Sequence, residues 1–254
     1  MAVIAHAVKA PRADRRTALL CFLVGALAYG PQLRFFFAAI DLMPTSIVVA
    51  IAYVYPTLVL IFLAVLRRKP PAALEVLLVA VTLGGVAAVT LGGGGTSVDG
   101  RGLLYAMISA IVFAVYVIVA NPLTRRIHPM RMSVYVLCGI GASSSLSGIV
   151  LGGLTVPSNI SSWEFVALHG LVMVPLAFTA FYAGLRLLGP ARTAMVDTAQ
   201  PVVALAVGVG FLGEGIAPVQ VSGIVTVIVA IGCMSALDER RARETTHGSG
   251  VPEL

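Results

Sequence analysis

Three polar side chains, Thr193, Asp197 and Gln200, interrupt a long apolar run, and their i, i+4, i+7 spacing puts them on one face of a helix. Pro201 follows at once; it lacks a backbone donor, so it bends a helix and frees a carbonyl. Such a face would contact a solute or carry a proton. The alternative is a carboxylate held by Arg186 or Arg192 near a membrane surface. A second apolar run carries Tyr53 and Tyr55 just before Pro56, a comparable kink beside two hydroxyls, and Pro175 marks a third kink candidate. His169 interrupts another run; an imidazole titrates near neutral pH and could couple movement of a solute to protons, or it is a hydrogen-bonded interfacial residue. Arg34, beside Gln32, either extends its charge outward along an apolar stem or attracts an anionic group.

Enzyme chemistry has no comparable set of residues. The sequence contains no HExxH, no Walker A lysine loop, no GxSxG and no Cys/His cluster with metal spacing, so no catalytic residue, metal or cofactor is expected. Gly208 to Gly213 match GxGxxG, but inside an apolar run instead of between a strand and a helix, which points to close helix packing. Cys21, Cys138 and Cys233 stand alone in apolar stretches and read as small packing residues. Asn159-Ile160-Ser161 is formally a glycosylation sequon.

The elements that would position these residues are membrane helices. Of 254 residues, 59% are hydrophobic and 11% charged, with a mean hydropathy of +0.99. Soluble domains have about 45–50% and 25%. Eight apolar stretches, 17–39, 44–66, 72–93, 102–120, 132–154, 163–185, 190–213 and 217–237, can each cross a hydrocarbon core, which takes ~20 helical residues. They do not alternate apolar and polar residues as the strands of a β-barrel do. A soluble enzyme, a disordered scaffold and a secreted disulfide module are excluded. The N-terminal residues have no continuous apolar core and form no signal peptide.

The net charge of +6 reports topology and calls for no nucleic acid. With the first stretch running outward, 15 of the 17 Lys and Arg fall on one side of the membrane, and only Arg34 and Arg101 on the other. Basic residues resist translocation, so both termini are expected in the cytoplasm.

Sliding the sequence on itself by 145 residues places Phe36 to Met43 on Phe181 to Leu188, Pro56 on Pro201, Leu60 on Leu205, Ala72 on Ala217 and Val76 on Val221. Stretches one to three therefore correspond to stretches six to eight. Stretch six is the fifth after stretch one and crosses in the opposite sense, so the repeats are inverted. That is the building plan of many secondary transporters, whose solute path follows the repeat interface.

Gly100 to Ala110 with Phe113-Ala114-Val115-Tyr116 resembles the opening of an EamA domain, the repeat of the drug/metabolite transporter superfamily. Phe181 to Arg186, Gln200-Pro201, Leu212-Gly213-Glu214 and Gln220 to Gly223 resemble its last three helices in order and spacing, and Tyr55-Pro56, Arg67-Arg68 and Gly84-Gly85 resemble the same places in a first copy. The resemblance implies an all-α polytopic membrane bundle with a cytoplasmic tail over 1–16, a partial first repeat over 17–93, a complete second repeat over 101–237 and a cytoplasmic tail over 238–254. Family members usually have two five-helix halves. Here the first half has three helices; two further apolar stretches are expected upstream of residue 17, missing through a late start or a truncated gene, the alternatives being a second copy packed against the gap or a collapsed, inactive cavity.

The function implied is export of small metabolites, amino-acid-like compounds or drugs by alternating access, without ATP, in a bacterial inner membrane. The alternatives are an inactive relic of such a transporter and a membrane scaffold or regulatory subunit. The partners expected are a small-molecule substrate and the lipid bilayer; Gly148 to Gly152 reads first as close helix packing, the alternative being a dimer face for a second copy of the chain.

Overall fold

The computed structural model describes residues 14–68, 73–91, 99–151, 159–200, 202–203, 217–230 and 233. These form α1 (Arg15–Ile40), α2 (Thr45–Ala52), α3 (Tyr55–Arg67), α4 (Ala73–Leu91), α5 (Gly100–Thr124), α6 (Pro129–Leu151), α7 (Ile160–Leu188), α8 (Pro190–Asp197) and α9 (Pro218–Ala230). No strand occurs among the described residues. The protein is an all-α polytopic bundle. Five segments, Arg15–Ile40, Ile47–Leu66, Gly100–Thr124, Pro129–Val150 and Ile160–Leu188, are long and apolar enough to cross a bilayer. The expected stretches 72–93 and 217–237 correspond to the apolar helices α4 and α9, and the part of 190–213 beyond residue 203, with the Gly208 to Gly213 motif, lies outside the described residues.

Only 11% to 39% of each span's apolar window is buried inside the bundle, so large side chains such as Leu27, Val65 and Ile149 face outward where lipid would lie.

Capping sets two of the starts. Asp99 accepts the amides of Arg101 and Gly102 at 2.8 and 3.0 Å and opens α5, and Asn159 accepts Ser162 N–H at 2.8 Å and opens α7. Both helices outrun the stretches read from sequence. Stretch four, 102–120, stops short of Pro122, yet α5 carries Pro122 within its last turn. At the other boundary, Gly189 takes φ 79°, a left-handed conformation that costs glycine little, and turns the chain from α7 into α8.

Two interruptions in the backbone fall at positions related by the 145-residue offset. The helix is interrupted at Tyr53-Val54 and again at Thr198-Ala199, the positions that the offset superposes. A π-turn over Gly25–Tyr29 precedes Pro31 in α1, and another over His169–Met173 precedes Pro175 in α7. A proline removes one backbone donor and crowds the carbonyl four residues earlier, and a wider turn relieves that crowding. Pro175 therefore lies at a local rearrangement of the helix. Pro201 lies outside the described residues.

Packing is closest between α1 and α6. A Cβ on Gly25 would overlap the Val136 carbonyl, and one on Gly139 would overlap the Phe22 carbonyl. Inside the bundle, Val59, Ala114, Tyr116, Val117, Val136, Tyr182 and Leu185 form a continuous core with no more than trace exposure.

Candidate functional site

The two interrupted helices meet. Tyr55 lies at the start of α3, and its hydroxyl donates to Asp197 Oδ2 at 2.7 Å, with the Ala194 carbonyl 3.2 Å away. Gln200 Nε2 donates to Asp197 Oδ1 at 2.7 Å, and the Tyr53 hydroxyl donates to Gln200 Oε1 at 3.1 Å. Four side chains singled out from sequence thus form one hydrogen-bonded chain between the two interrupted segments. Asp197 is half-buried, and its hydrogen-bond partners among the described residues are the neutral side chains of Tyr55 and Gln200.

Two cavities adjoin this chain. The smaller, about 270 Å³, is walled by the second half of α1 (Gln32, Leu33, Phe36), α2 (Val49, Ala52) and the first half of α5 (Ser109, Ala110). The larger, about 720 Å³, is walled by Tyr116, the second half of α7 from Ala177 to Leu188, and Thr193 and Val196 of α8. Tyr29, Phe113, Asp197 and Gln200 line both.

The helix directions place the larger cavity toward the bundle end that carries Arg15, Arg16, Arg125, Arg126, Arg186 and Arg192, and the smaller toward the other end. Aromatic rings stiffen the junction: Tyr29 meets Tyr116 at 5.0 Å and Phe178 at 5.1 Å between ring centres, and Tyr55 meets Phe113 edge-on at 4.7 Å.

Other candidates lie apart from the junction. Thr193 is buried in the wall of the larger cavity and its hydroxyl has no hydrogen-bond partner, so it shares the Asp197 face without joining the chain. Arg34 is exposed on α1 and lines neither cavity. His169 is exposed in the π-turn of α7, stacked on Phe165 with ring centres 5.8 Å apart, and also lines neither. Among the described residues, no three His, Cys, Asp or Glu side chains come together as metal ligands.

Sequence reasoning missed two polar pairs. Gln32 Nε2 donates to Ser109 Oγ at 2.9 Å in the wall of the smaller cavity, and the buried hydroxyls of Tyr116 and Tyr182 bond to each other below the aromatic junction. The available signal was the presence of lone polar residues inside apolar runs. Each hydroxyl of the tyrosine pair is the other's partner, and an orphaned buried hydroxyl costs about 1–3 kcal/mol. Tyr116→Phe and Tyr182→Phe should each destabilise the purified protein to that extent, and the double variant should be less destabilised than the sum. Thermal unfolding in detergent measures this; strictly additive losses would contradict the pairing.

A helical membrane bundle with two repeat-related broken helices meeting between opposed cavities has the form of a solute carrier. The chain belongs to the EamA-like transporter family, whose model matches residues 100–236. It is 27% identical over 127 residues to the Bacillus subtilis (strain 168) protein described as "Uncharacterized transporter YcbK", a match covering 48% of this chain and 41% of that protein. The matched stretch therefore spans less than half of that relative. A solved crystal structure of a protein superposes with a TM-score of 0.72 at 22% identity, over 86% of this chain and 77% of the other, and shows the same fold. Family membership points to a multi-pass membrane transporter and away from an enzyme.

Proposed function

We propose that the chain carries a small solute between its two cavities by alternating access, without nucleotide hydrolysis, and that the junction of Tyr29, Phe113, Asp197 and Gln200 is the barrier that opens. The observation that carries this reading is the shared lining: two cavities lie toward opposite ends of the bundle, and the same four side chains line both. The interruptions at Tyr53-Val54 and Thr198-Ala199 supply joints beside that barrier, since backbone freed from helical pairing absorbs dihedral change.

The positive-inside rule gives the orientation, with the larger cavity facing the cytoplasm and the smaller facing outside. Export of small metabolites, amino-acid-like compounds or drugs suits the family. The test is counterflow. Purified full-length chain in liposomes preloaded with unlabelled solute should accumulate the labelled form of at least one member of a panel of amines, amino acids and small drugs. Folded, correctly inserted protein that moves none of them would overturn the reading.

A further inference from the structure

Resting on the transporter reading above, we infer that the smaller cavity selects a small organic cation, binding its ammonium group against Asp197 with the apolar body toward Phe36 and Leu33. Asp197 is the only ionisable carboxylate or cation among the described residues that line either cavity. A carboxylate carries about four acceptor positions. Two are taken, one on each oxygen, by the neutral donors Tyr55 and Gln200. Charge at membrane depth calls for a compensating partner, and the described lining residues supply hydrogen bonds there but no cation. A ligand ammonium supplies both the missing charge and the N–H donors.

The surroundings agree. Tyr29, Tyr53 and Phe113 line the same cavity as the carboxylate, and aromatic faces attract a cation as well as an apolar body. Gln32, buried in the same wall, gives its amide donor to Ser109 and leaves Oε1 without a partner. Turned into the cavity, that oxygen is a second acceptor for an ammonium N–H. An anionic solute would meet Asp197 with no cation to offset it. The 270 Å³ of space equals about nine waters at ~30 Å³ each, the size of an amine with one aromatic ring.

The probe is radiolabelled 2-phenylethylammonium at pH 7, with full-length protein in nanodiscs. It should bind saturably. The neutral 2-phenylethanol should compete at least about tenfold more weakly, and 3-phenylpropionate should not compete. Asp197→Asn should bring the amine and the alcohol to equal affinity, and Gln32→Leu should weaken the amine alone, with size-exclusion profiles confirming that both variants fold. Equal competition by amine, alcohol and carboxylate on the unaltered protein would overturn the inference whether or not the variants fold. So would amine binding that survives Asp197→Asn intact. Counterflow separates this inference from the one it rests on: charge-selective binding without counterflow supports the cation site and overturns the transporter reading, whereas counterflow of a neutral or anionic solute with no amine binding overturns the cation site and leaves transport standing.

Discussion

Asp197→Asn should reduce solute flux by roughly thirtyfold or more while leaving the protein folded and inserted. Removing one member of a buried, hydrogen-bonded charge contact costs about 2–5 kcal/mol, and each ~1.4 kcal/mol is a factor of ten. The folded state should survive because the neighbours can reverse their bonding. The asparagine oxygen still accepts from Tyr55, Gln200 turns its own oxygen toward the new NH₂, and the Tyr53 hydroxyl accepts where it had donated. Shape is kept and charge is lost. Asp197→Leu is the contrasting control: it leaves Tyr55 and Gln200 without their acceptor and should lower the amount of folded protein as well as the flux. Counterflow in liposomes, normalised to protein recovered as a single size-exclusion peak, separates the two. Unchanged flux in Asp197→Asn would return the carboxylate to a purely structural role.

Gly139→Leu should abolish recovery of folded protein, the largest structural loss expected of any single change in the bundle. Membrane helices gain little from hydrophobic burial against one another, since lipid is equally apolar, and depend on close contact. At Gly139 and Gly25 that contact is backbone on backbone, with the Phe22 and Val136 carbonyls where a side chain would have to go. A main-chain carbonyl cannot swing aside as a flexible side chain does. Overpacking typically costs 1–3 kcal/mol where neighbours can shift, and about that or more is expected here because they cannot. Gly141, also on α6 but with open space around its Cβ position, is the matched control: Gly141→Leu should be tolerated. Fluorescence size-exclusion profiles of the two variants compare them directly, and normal behaviour of Gly139→Leu would mean that α1 and α6 do not approach as described.

The membrane class, the repeat and the junction were legible because each leaves a signal that survives without coordinates. Uncharged runs of helical length report spans, basic flanks report direction, and proline beside polar residues in an apolar run reports a place where helical pairing fails. Tyr53, Tyr55, Asp197 and Gln200 carried that last signal in both repeats, and their side chains meet across 142 and 147 residues of sequence. What stayed hidden depends on how each helix is rotated about its axis. An amphipathic helix announces its inward face, but a span apolar all round does not. The Gln32 to Ser109 and Tyr116 to Tyr182 contacts therefore left no pattern. The same ambiguity affects His169 and Arg34, where residue type alone nominated a position and the helix face set it outside both cavities. The π-turns were unreadable for another reason. A proline marks where a donor is missing, but it does not say whether the helix will bend, break or widen.

α5 runs from Gly100 to Thr124 without interruption while the helices opposite it are broken, and along one face it presents Ser109 to the smaller cavity, Phe113 to both and Tyr116 to the larger. For a solute that crosses the junction, this helix acts as a fixed depth scale with graduations about one turn apart. Phe113 touches the solute's surroundings on both sides, so altering it should change affinity in parallel on the two faces of the membrane. Ser109 and Tyr116 each act on one side only. On the proposed alternating-access reading, the ratio of the two affinities, and with it how fully a carrier would load on one face before emptying on the other, would be adjustable from this one uninterrupted helix, apart from the proposed joints.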